Sequence, residues 1–125
     1  MGQVTSVPLT GKLYDGMRAL PVRYAFANIA AASTDASVVA AVAGKKLRVV
    51  ALVLLCGATA TTITFNSKPA GAGTAISMQF QNAANGGAVL GFNQAGWFET
   101  TAGEGLTATT GVGSTTGVQV VYVEV

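Results

Sequence analysis

The chain contains no histidine and a single cysteine, Cys56. Serine and cysteine nucleophiles need a neighbouring base, usually an imidazole, so the ordinary triad and dyad chemistries are excluded. Zinc sites built from cysteine and histidine go with them. One unpaired thiol rules out a disulfide framework and fits folding in a reducing cytoplasm. At the end of an apolar run, Cys56 reads as a small buried hydrophobe. Charge is scarce as well: 10% of the 125 residues carry it, against about 25% in ordinary soluble domains. The longest uninterrupted apolar run, residues 49–56, has eight members, far short of the ~20 that span a bilayer. Residues 1–12 show no basic stretch followed by an apolar core, so no secretory signal is expected.

What the chain does have is apolar bulk. Half of its residues are hydrophobic and its mean hydropathy is +0.51. A chain of this length makes one domain. With so little charge, part of its surface is expected to be covered by copies of itself or by another protein. The charges are also segregated along the sequence. All seven basic residues lie within positions 1–68, with Asp15 and Asp35 as the only acids there; Glu99, Glu104 and Glu124 follow with no base. This predicts a polarised molecule suited to an oriented contact with an acidic surface, with chance placement as the alternative. The bases form no dense cluster and few aromatics accompany them, so nucleic-acid binding is not expected.

Residues 1–21 are broken by Pro8, Gly11, Gly16 and Pro21 and read as an extended arm. From Val22 onward, short β-like runs alternate with turn residues. The runs are 22–29, 37–43, 47–56, 60–66, 76–81, 89–92 with 96–100, 106–110 and 118–125. Residues 47–56, continuously apolar apart from Arg48, are expected to be buried on both faces. The clearest alternation is 76–81, with Ile76, Met78 and Phe80 on one side and Ser77, Gln79 and Gln81 on the other. Residues 30–43 are alanine-rich and leave strand or helix open, a helix starting near Ser33. About eight short strands between Gly, Asn, Pro and Thr turns predict an all-β domain, an antiparallel sandwich or barrel over residues 22–125.

Candidate chemistry is thin. Glu99 and Glu104 flank a four-residue turn and could approach as paired carboxylates or hold Ca²⁺ with turn carbonyls. The plainer reading makes them solvated hairpin ends. Residues 111–117 are one position off a dinucleotide fingerprint and precede a strand, where no helix N-terminus can receive a phosphate. Gly44-Lys45-Lys46 mimics the end of a phosphate loop, but Val39 occupies the place of its first glycine. Both segments read as hairpin turns. No catalytic residue, cofactor site or metal ligand is assigned, and no enzyme is expected. Trp97 and Phe98 could stack on a sugar; together with Tyr122 they read as core or subunit-interface anchors.

Three segments carry a likeness: Gly44-Lys45-Lys46 before an apolar strand, Trp97-Phe98-Glu99-Thr100 leading to Gly105 and Leu106, and the closing glycine turn into a Val/Tyr strand. In this order, over residues 22–125, the chain resembles small virion proteins of tailed bacteriophages. These are single-domain β-sandwich proteins that decorate or cement capsids, with related head-fibre and tail modules. The resemblance implies a single antiparallel, jelly-roll-like β-sandwich that assembles on the virion surface as a homotrimer after synthesis in the host cytoplasm. Its partner would be the major capsid protein or another virion protein, with no cofactor, membrane or direct nucleic-acid contact. Its function would be capsid decoration; a head-fibre, tail or connector component and a carbohydrate- or receptor-binding module are the alternatives. Shell contact is assigned to the arm and the basic residues near it, Lys12, Arg18 and Arg23.

Overall fold

The computed structural model describes residues 12–16 and 18–125. In chain order the strands begin with β1 (Lys12–Asp15), β2 (Arg18–Pro21), β3 (Arg23–Ile29) and β4 (Ala36–Val39). Next come β5 (Leu47–Cys56), β6 (Thr61–Lys68), β7 (Thr74–Ala75) and β8 (Phe80–Asn82). The last four are β9 (Gly87–Leu90), β10 (Phe98–Glu99), β11 (Gly105–Thr110) and β12 (Thr116–Glu124). Among the described residues there is no helix, so none is long and apolar enough to cross a membrane.

Strands β1 and β2 form a hairpin, and the other ten make two five-stranded antiparallel sheets. Sheet one runs β3-β12-β5, with β9 and β10 both paired to the outer side of β5. Sheet two runs β4-β11-β6, with β7 and β8 both paired to β6. Ten strands thus fill eight positions, and the antiparallel β-sandwich expected from the turn spacing is present. The chain passes from one sheet to the other at nearly every connection, so each sheet is woven from distant segments.

The main core lies between the sheets. Leu47, Val49, Leu52, Leu54, Val118 and Val120 of sheet one meet Ile63, Phe65, Phe80 and Leu106 of sheet two. Phe65 is the hub: Phe98 stacks on it at 5.3 Å, and Phe80 meets it edge-on at 6.0 Å. A second cluster lies on the outer side of sheet one. There the hairpin residues Leu13 and Leu20, with Val22, cover Val50 and Val123. A β-bulge makes this possible: Val121 pairs with Ala51 and Tyr122 with Val49, so Val50 is the extra residue and turns outward.

Four expectations need correction. Residues 12–21 are no free arm, because Leu13 and Leu20 gain burial by folding back as a hairpin; residues 1–11 lie outside the described residues. Residues 47–56 are buried on both faces only near Val49 and Val50, since the hairpin stops short of Val53 and Leu55. Residues 30–43, left open between strand and helix by the sequence, hold strand β4 and turns; Ala32 and Asp35 adopt φ of 58° and 51°, which no helix accepts.

The clean alternation at 76–81 is broken. Ile76 N–H still donates to Phe65 O at 2.9 Å, but Phe65 N–H donates to Ser77 Oγ at 2.9 Å instead of to backbone. A side chain has replaced the ladder acceptor on an edge that has no second neighbour, and the strand splits into β7 and β8. Charge segregation along the sequence is undone in the same way. Because β12 lies between β3 and β5, Glu124 reaches Arg23 at 3.4 Å; β10 brings Glu99 to Arg48 at 3.0 Å and Lys46 at 3.6 Å.

Candidate interaction surface

The three basic residues assigned to partner contact do not converge. Lys12 stands opposite Pro21 at the open end of the hairpin, and Arg18 opposite Asp15 beside the turn, roughly 10 Å further along the strand. Arg23 starts β3 and is paired with Glu124. The anchors divide as well. Phe98 and Tyr122 pack against the main core. Burial, reinforced by Glu124 and opposed by Arg23, pushes the Tyr122 phenol above its ordinary pKa. Trp97 is different: it is 46% exposed, and its indole N–H donates to Gly91 O at 2.7 Å, which fixes the ring against its own loop.

Trp97 lines a cleft of about 520 Å³ with Ile76, Met78, Phe80, Leu90 and Phe98. The cleft opens where the outer strand of each sheet is split, β7 from β8 and β9 from β10. Its one hydroxyl belongs to Ser77, which accepts from Phe65 N–H and donates to Met78 O. No ionisable side chain lines it. Sugar and small polar ligands are fixed by several convergent polar groups, and the polar side-chain groups here, the Ser77 hydroxyl and the Trp97 indole N–H, already have partners within the chain. Its chemistry suits an apolar side chain from another protein.

The loop of residues 91–97 joins this cleft to the hairpin. Asn93 braces the loop: its N–H donates to Val50 O, and its side chain bonds Ala95 N and Gly96 O. Gln94 Nε2 donates to Tyr14 O at 2.8 Å, which ties the loop to β1. Between them lies a polar hollow of about 590 Å³ bordered by Tyr14, Arg48, Asn93 and Gln94. Tyr14, Phe92 and Met78 are each 60–70% exposed. A surface of exposed Trp, Tyr, Phe and Met with basic residues at its margin has the composition of protein-binding hot spots. Sequence reasoning singled out Trp97 and missed Tyr14, Met78 and Phe92. The strand interruption at Asn93-Gln94 was the available signal, because a loop that breaks an edge strand pushes its apolar residues outward.

The remaining candidates are held structurally. Glu99 belongs to Arg48 and Lys46, while Glu104 accepts from Ser67 Oγ at 2.6 Å, so the two carboxylates have separate partners. Cys56 is buried and donates its thiol proton to Thr59 O. No protein-family model, curated protein or solved structure matches this chain.

Proposed function

We propose that the protein is a structural component of a tailed-bacteriophage virion, a decoration or cement protein that binds the outer head shell and stabilises it. The observation that carries this reading is the exposed apolar surface around residues 91–97, where Tyr14, Met78, Phe92 and Trp97 stand out from the sandwich. A cement protein works by contact area: it bridges neighbouring subunits of the major capsid protein and resists the pressure of packaged DNA. That task asks for a shape-complementary, weakly charged surface with a few large anchors. The likeness of residues 22–125 to small virion proteins supplies the setting. We read the repeated crossing between sheets as jelly-roll winding. Lys12, on the same strand as Tyr14, would orient the approach to an acidic shell. The sugar-binding alternative is less favoured by a cleft whose lining is mostly apolar and whose Ser77 hydroxyl is already bonded within the chain.

Shells lacking the protein test this directly. The purified chain should co-sediment with them and raise the temperature at which they open. The double variant Met78→Ala/Trp97→Ala, altered at two exposed positions, should weaken binding by at least about tenfold with its own melting temperature nearly unchanged. Absence of co-sedimentation by the native protein overturns the reading.

A further inference from the structure

We infer that the outer face of sheet one pairs two copies of this chain face to face. Strand register sets Phe26, Gln119, Val53 and Val89 in one row across β3, β12, β5 and β9. The adjoining row is Asn28, Gly117, Leu55 and Gly87. Phe26, Val53, Leu55 and Val89 are 49–72% exposed and neighbour one another in these two rows, a contiguous apolar patch rather than scattered exposure. Their neighbours along the strands, Leu52, Leu54, Val118 and Val120, point into the core, so this face is a regular consequence of the pleat.

Four features select a second copy as the occupant. Neither row holds an ionisable side chain, so a partner chosen by charge finds nothing to pair with, whereas an identical neutral face brings no repulsion. Gly117 leaves a hollow of about 250 Å³ bordered by Phe26, Asn28, Val53, Leu55 and Gln119. A projecting ring and a hollow on one face are what an isologous two-fold contact needs, each copy offering both. Gln119 near the centre carries a donor and an acceptor, so its amide can satisfy its own symmetry mate. Finally, the hairpin already covers the other half of this same sheet face at Val50 and Val123. The half left open carries both apolar rows.

An isologous pair is a dimer, in place of the trimer that the resemblance implies. The pairing goes beyond the shell-binding reading and is tested without shells. Light scattering after gel filtration at about 100 µM should give twice the 12.5 kDa chain mass. Val53→Lys, a charge at the centre of an exposed row, should give the monomer with an unchanged circular dichroism spectrum. Val89→Lys, on an edge strand, serves the same purpose should Val53→Lys not fold. Gln119→Cys should form a disulfide-linked dimer on mild oxidation, since the native Cys56 is buried. A monomeric native protein, or an assembly unchanged by both lysine variants, overturns the inference. Co-sedimentation of Val53→Lys with shells reads the other proposal separately, and its failure leaves this pairing standing.

Discussion

Asp35 sits in the left-handed region at φ 51° and ties together three segments far apart in sequence. Its carboxylate accepts from Gly73 N–H, Asn66 Nδ2 and Thr107 Oγ1 at 3.0–3.1 Å. The Gly73 bond, aided by Thr107, Lys68 and Asn66 against some desolvation, holds this carboxyl below the ordinary range. A depressed pKa means that the stabilisation is complete above about pH 4 and is lost as pH falls through the folded value. Asp35→Asn turns one acceptor into a donor facing Gly73 N–H and should cost about 1–2 kcal/mol at neutral pH. The difference in urea midpoint between native and variant protein should shrink below pH 4; a constant difference would show that the charge is irrelevant. Gly113 is a second strained position. At φ 137° an added Cβ would lie 2.3 Å from Ala60 O and from Thr61 Oγ1, so Gly113→Ala should cost more than about 2 kcal/mol, measurable in the same urea titration. The glycine-rich turn was legible in the sequence; the network at Asp35 was not, because its three carboxylate partners are 31–72 residues away.

Among the elements, the hairpin shows most clearly how burial overrides local pattern. Nothing in Lys12–Asp15 or Arg18–Pro21 alternates convincingly over four residues, yet Leu13 and Leu20 meet across the ladder and seal Val50 and Val123. Leu20→Ala should therefore cost about 2 kcal/mol, read by urea denaturation. Removal of residues 12–21 should lower the melting temperature and expose apolar surface to a hydrophobic dye. An unaltered melting temperature would mean that the hairpin contributes nothing to the fold. The split of β7 from β8 is the converse. Ile76, Met78 and Phe80 alternate as a strand should, and an edge position let Ser77 divert the ladder.

For the whole molecule, antiparallel weaving decides where charge and apolar surface end up. Acids of the C-terminal half return to bases of the N-terminal half, so Arg23, Lys46 and Arg48 are answered within the chain. Weak residual charge should steer shell binding and contribute little to holding it. Raising ionic strength, or Lys12→Glu, should slow association severalfold and leave dissociation nearly constant; surface-immobilised shells would report both rates. A larger effect on dissociation would place Lys12 inside the contact.

The number of strand positions in the sandwich, the turns between them, the continuous run of β5 and the lack of imidazole chemistry are determined by the sequence alone. Each depends on local periodicity or on residue type, which needs no partner to be read. Tertiary structure decided which apolar residues face outward. Leu52 and Leu54 are core while Val53 and Leu55 are exposed, although all four belong to one unbroken apolar run, because only one side of β5 meets the opposite sheet. It decided equally that Trp97 stands at an open cleft and Phe98 on Phe65. Burial depends on what arrives from elsewhere in the chain, and no local pattern carries that information.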